Sequence, residues 1–268
     1  MLQFPLLEYC PCTSELKERF SDQHLRVFST SLFRPKKRNL RAREYSEKLL
    51  KIAQEFETYF HGWILRVYYD ESLFSCDYIY DNDQCHAGEE VVLWNTVLDE
   101  LKVLPYVQLV KFTFPELQHF DQSHHIGYLG TIARFFSFFD QDVGVTITRD
   151  IDSDLVEKDR EQIDLWLASP LALHAYKQDD YFPLHRPKLF DNNKCFCQAG
   201  LFGAKEIQNK VALWNALGNS LSVFKASGAS FTYGIDEILL NETIVPMLGY
   251  DTLKITPLES IQTNILPN

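Results

Sequence analysis

Val143-Gly144-Val145-Thr146-Ile147-Thr148-Arg149-Asp150-Ile151-Asp152-Ser153 is the stretch on which the reading of this chain turns. Its first six residues alternate in the manner of a half-buried strand. Asp154, with Glu157 three residues on, then reads as the N-cap of a following helix. Two carboxylates one residue apart at the end of a buried strand cost free energy unless a cation meets them. Hard oxygen ligands suit magnesium or manganese, and such an ion can in turn hold a diphosphate. Asp150 and Asp152 are therefore candidate metal ligands, with helix capping and a salt bridge to Arg149 as the plainer alternative.

Upstream of this stretch, strands and helices alternate. Leu25 to Phe33 reads as a strand, and Tyr45, Leu49, Ile52 and Phe56 recur at helical spacing before Gly62. Trp63 to Asp70 is a second strand, Val91 to Leu101 a helix, and Tyr106 to Phe112 a third strand stopped before Pro115. Gly130 to Phe139 reads as a short helix leading into the strand that ends at Asp150. This rhythm predicts an α/β fold with a mostly parallel, doubly wound sheet, in which ligands bind at the carboxyl ends of strands.

Downstream, Asp154 to Ser169 reads as a helix and Tyr176 to Asn193 as a long loop. Gly200-Leu201-Phe202-Gly203-Ala204 is expected to open a helix running to about Leu217. Tyr233-Gly234-Ile235-Asp236-Glu237 begins another helical pattern through Ile244, with a loose tail from about Pro257. No repeat or linker interrupts the pattern, so a single domain over residues 1–268 is expected.

Composition narrows the function. A hydrophobic content of 46% and an aromatic content of 14% support a substantial core. The net charge of -11 argues against nucleic acid as a partner, which calls for a basic face. No run approaches the ~18 apolar residues of a membrane span. Met1 to Glu8 lacks a basic start and a long apolar stretch, so a soluble, cytoplasmic protein is expected. The pairs Cys10-x-Cys12 and Cys195-x-Cys197 are too tightly spaced for the usual zinc site, and reduced thiols are the better reading.

Several segments taken in order resemble the GT-A type of nucleotide-sugar glycosyltransferases, in a subgroup found in bacteria, protists and large DNA viruses. They are Gly62 to Asp70, Arg134-Phe135, Arg149 to Ser153, Arg160-Glu161 with Trp166, His174, and Ala199 to Lys205. The resemblance covers roughly Leu25 to Val245 and centres on the Asp-x-Asp motif. It implies a GT-A-like sheet, with residues 25–155 as a nucleotide-sugar-binding half and 156–256 as a smaller acceptor-side half. It further implies manganese or magnesium on Asp152, with Asp150 at the ribose or a metal-bound water. The activity implied is transfer of a hexosyl or pentosyl group from a nucleoside-diphosphate donor to a glycan hydroxyl, with inversion. Gln198-Ala199-Gly200-Leu201-Phe202-Gly203 departs from the Gly-Gly-Met-Trp-Gly of relatives, and the last histidine is His185, which leaves a third metal ligand unassigned. Alternatives are a nucleotidyltransferase or sugar-nucleotide hydrolase using the same carboxylates, or a non-catalytic carbohydrate- or nucleotide-binding protein.

The remaining candidates are weighed one by one. Arg134 lies among Ile132, Phe135, Phe136 and Phe138, a poor place for an unpaired charge, so it is expected to bind the diphosphate or orient Asp150, with a structural ion pair as the plainer alternative. His174 and Gly200 are candidate nucleotide-sugar contacts, although His174 also fits a hydrogen-bonded core position. The basic run Arg34 to Arg43 reads more readily as a solvated face than as a phosphate clamp. Trp166 and Trp214 read as core residues. Asp236 and Glu237 are candidate catalytic acids, with Asp236 preferred because Gly234 would let substrate approach it.

Overall fold

The computed structural model describes residues 6–9, 24–33, 40–74, 87–113, 130–177, 197–226, 234–249 and 253–257. Eight strands form one sheet: β1 (Leu6–Tyr9), β2 (Leu25–Leu32), β3 (Ile64–Tyr69), β4 (Val107–Thr113), β5 (Val143–Arg149), β6 (Leu173–Lys177), β7 (Cys197–Lys205) and β8 (Leu253–Pro257). Their spatial order is β1-β4-β3-β2-β5-β7-β6-β8. β4, β3, β2 and β5 run parallel, β1 is antiparallel to β4, and β7 lies antiparallel between β5 and β6. The chain is thus α/β with a mixed, mostly parallel sheet flanked by helices. From β2 it winds outward through β3 and β4, then returns to place β5 on the other side of β2. That reversal makes the carboxyl ends of β2 and β5 the switch point where a crevice opens in such sheets.

Two apolar layers cover the sheet. Helices α1 (Leu40–Tyr59), α2 (Ala87–Lys102) and α3 (Glu157–Leu167) pack on one face through Leu49, Phe56, Trp94, Leu98, Ile163 and Trp166. The other face carries the 3-10 helix Gly130–Phe138, helix α4 (Lys210–Ala226) and a C-terminal helical run, joined through Phe135, Phe136, Phe138, Phe202, Leu217 and Leu240. That run is α-helical over Ile235–Leu239, widens to a π turn over Leu240–Ile244, and ends as Val245–Leu248. Burial of both faces explains why β2, β3 and β4 are almost continuously buried rather than alternating.

The structure departs from the sequence reading in three places. Residues 200–204 do not open a helix; they lie inside β7, and the helix starts at Lys210. The glycines mark places in that strand where a neighbour comes close, since a Cβ at Gly203 would meet Ile147 at 2.7 Å and Trp166 at 3.1 Å. Asp154 is not a cap: α3 starts at Glu157 behind Val156, which makes no side-chain capping bond. The segment is held instead by Arg149, which donates to the Asp154 carbonyl at 2.6 Å and to Asp159 at 2.9 Å. Strands β1 and β8 are the third departure, neither being expected from the sequence, and β8 ends at Pro257, where the tail was expected to begin. Most of the expected loop (residues 178–193), Lys36-Lys37-Arg38 and every cysteine except Cys197 lie outside the described residues.

Candidate functional site

Asp150 follows the last residue of β5, where its N–H donates to the Gly200 carbonyl of β7 at 3.3 Å. Ser153 N–H closes the turn onto the Asp150 carbonyl at 3.4 Å. The Asp150 carboxylate lies over the β7 backbone at Gly200, in space that a Cβ there would fill, only 2.9 Å from Oδ1 and nearer still to the rest of the carboxyl. Gly200 is therefore required by the close approach of Asp150, a reason different from contact with a sugar.

Arg134 meets this carboxylate from the 3-10 helix. Its Nη1 pairs with Asp150 Oδ1, and its Nη2 lies 3.8 Å from Asp236 Oδ2 on the C-terminal run. Nε donates to the Thr131 carbonyl at 3.0 Å, while Ser29 of β2 donates to the Arg134 carbonyl at 2.6 Å. The guanidinium is buried, at 5% exposure. Burial opposes its charge, but Asp150 and Asp236 outweigh that and raise its pKa. The structure so brings together Arg134, Asp150, Asp236 and Glu237, drawn from the 3-10 helix, the turn after β5 and the C-terminal run.

The carboxylates outnumber the cation they share. Burial raises the pKa of Asp236, with Arg134 opposing and Asp150 adding to the rise. Glu237 is pushed up to about 8, first by burial and then by Asp236 and Asp150. Asp152 is crowded though solvent-accessible; burial and Asp150 raise its pKa, and Lys48 counters them. Asp150 and Asp236 flank one guanidinium, with Asp152 and Glu237 within electrostatic reach, and the surplus negative charge suits a hard cation. Among the described residues, no three His, Cys, Asp or Glu side chains stand close enough to hold a metal by themselves. A metal here would have to be completed by ligand oxygens or water, as is usual for magnesium.

The two members of the acid pair differ. Asp236 is buried against Arg134, whereas the Glu237 carboxyl makes no hydrogen bond or ion pair among the described residues, its backbone carbonyl alone accepting from Asn241. Gly234, at φ 86°, borders Glu237 rather than Asp236, since a Cβ there would lie 3.6 Å from Glu237 Oε2. The space that Gly234 leaves open is therefore beside Glu237 rather than Asp236. His174 is not part of this cluster. It is buried on the opposite face, stacked on Trp166 with ring centroids 5.6 Å apart, and β6 pairs it with Gly203.

Other residues of the site left no trace in the sequence pattern. Lys48 and Lys51 of α1 reach the turn after β5: Lys48 donates to the Asp152 carbonyl at 3.2 Å, and Lys51 pairs with Asp154 at 3.0 Å. Thr30 and Ser31, near the carboxyl end of β2, have buried hydroxyls with no hydrogen-bond partner among the described residues. Asn241, in the π turn, accepts from Cys197 N–H at 2.7 Å and donates at 2.8 Å to the carbonyls of Cys197 and Glu237. Only tertiary pairing reveals these roles.

No known protein-family model matches this chain, and no curated protein matches it at a significant level. Among the described residues, no helix is long and apolar enough to cross a membrane.

Proposed function

We propose that this chain is a metal-dependent glycosyltransferase of the GT-A type, moving a sugar from a nucleoside-diphosphate donor to a glycan hydroxyl with inversion. The observation that carries the reading is the gathering of Asp150, Asp152, Arg134, Asp236 and Glu237 near the switch point between β2 and β5. Asp152, with Asp150 beside it, would hold magnesium or manganese. When bound, that ion supplies Lewis-acid stabilisation of the departing diphosphate.

The chain's own residues do the rest. Arg134 fixes Asp150 and keeps cationic charge behind the diphosphate site, in surroundings of low dielectric where it acts strongly. Glu237 accepts the proton of the attacking hydroxyl; its raised pKa makes its carboxylate a stronger base than an ordinary one. Asp236 holds the second side of Arg134 and so acts as a positioning residue.

A thermal-shift screen of nucleoside diphosphates and nucleotide sugars, with and without manganese, tests the proposal, because ligand bound to the native state raises the midpoint by mass action. Wild type should respond to at least one nucleotide only with manganese, and Asp152→Asn should fold yet lose that response. No metal-dependent response in wild type, or an unchanged response in Asp152→Asn, would count against the reading. Retained anomeric configuration in the product would remove Glu237 as an inverting base.

A further inference from the structure

Among the described residues, α1 sends Lys48 and Lys51 to the Asp-x-Asp turn. Lys48 spans the switch point. Its backbone belongs to the helix that follows β2, and its Nζ donates to the carbonyl of Asp152, in the turn that follows β5. The ammonium also lies 3.4 Å from Glu44, one turn earlier on the same helix. It is half-exposed, with 35% of its side-chain surface open. An ammonium carries three N–H donors, and these two contacts occupy two of them. The third remains for a group entering the crevice.

Charge makes that group an anion. Lys48 is a point cation whose Nζ sits on the carbonyl of Asp152, the acid of the motif that has no ion pair among the described residues. Among the described residues, Arg134 is already committed to Asp150 and Asp236. Lys51 is spent on Asp154.

We propose that Lys48 is a substrate-binding residue, donating to the phosphate oxygens of a diphosphate held at Asp152. This rests on the donor reading given above and assigns it a residue. The arrangement is one in which a lysine and a cation-binding carboxylate approach the same phosphates from opposite walls of a crevice, the lysine as a point charge. It also explains why the turn is tied to α1: anion contact and carboxylate placement then depend on one bond.

The test separates anion binding from simple support of the turn. Manganese affinity is measured alone by electron paramagnetic resonance of the free ion. Affinity for ADP, CDP, GDP, TDP and UDP in the presence of manganese is measured by calorimetry. If Lys48 contacts phosphate, Lys48→Ala weakens the best-bound diphosphate by about tenfold or more, while manganese alone binds equally well or more tightly. Lys48→Arg, which keeps the charge, should recover most of that loss, and unchanged unfolding midpoints confirm that the variants fold. Unchanged diphosphate affinity in Lys48→Ala overturns the proposal. Parallel loss of manganese and diphosphate also overturns it, because Lys48 would then only be holding the turn. If wild type binds none of the five diphosphates with manganese, the donor reading falls and takes this assignment with it.

Discussion

Placing a methyl group on Gly200 is the sharpest perturbation the site offers. A Cβ at this position lands on the carboxyl of Asp150, 2.9 Å from Oδ1 and closer to its other atoms. Asp150 cannot yield freely, because its carboxylate is paired with the buried Arg134. Either the carboxylate swings away, leaving Arg134 only Asp236 at 3.8 Å, or β7 shifts from β5. Breaking a fully buried pair costs about 3–5 kcal/mol. Asp150 retains 45% of its side-chain exposure, so solvent recovers part of this and about 2 kcal/mol is expected. Alanine in place of glycine returns about 0.5 kcal/mol through lower backbone entropy in the unfolded chain. The assay is a double-mutant cycle by urea denaturation. Gly200→Ala should destabilise wild type by about 1.5 kcal/mol but be neutral or slightly stabilising when Asp150 is already alanine, a coupling of about 2 kcal/mol. Additive effects would refute the argument that Gly200 exists to admit the Asp150 carboxylate.

Two further predictions follow from the C-terminal run. Glu237, raised from its ordinary 4.5 to about 8, holds its proton in the folded chain at pH values where the unfolded chain has lost it. Its contribution to stability is therefore present at low pH and is lost as pH rises toward 8. Glu237→Gln should match wild type at about pH 4 and be more stable by on the order of 2 kcal/mol above pH 8, allowing for partial solvation. Equal differences in urea melts at both pH values would contradict this. Asn241→Ala removes three hydrogen bonds of 2.7–2.8 Å, two of them to the buried Cys197 backbone, so chemical denaturation should show a loss of about 3 kcal/mol. A loss below about 1 kcal/mol would mean that water replaces the amide.

The parallel half of the sheet was legible because each of its elements carries its own period. β2, β3 and β5 are short apolar runs, and α1 repeats Leu49, Ile52 and Phe56 on one face. Asp150 and Arg134 were legible for a related reason, since a charge among aromatic residues or at a strand end demands a partner. The antiparallel half was not legible. Gly200 and Gly203 weaken a strand signal locally, and what they accommodate, Asp150 and Trp166, lies far along the chain. The misread cap had a similar origin, because Arg149 supplied from the preceding strand what a capping side chain would have given. Lys48 and Asn241 act through the backbone carbonyls of distant residues, and sequence spacing carries no record of such bonds.

β5 is the seam of the sheet, joined in parallel to β2 on one side and antiparallel to β7 on the other. Its partners come from distant parts of the chain: Val27 meets Thr146, and Val145 meets Lys205. Loop closure of this kind costs conformational entropy, so the carboxylates at the end of β5, which can meet nearby Arg134 early, reach the C-terminal run only after long-range pairing. The unfolded chain consequently offers a cation no comparable site. Any metal that binds there acts as a selective ligand of the finished sheet, raising the stability of the whole rather than of the turn it touches, and its bound fraction during refolding would time the closing of the last long-range pairing.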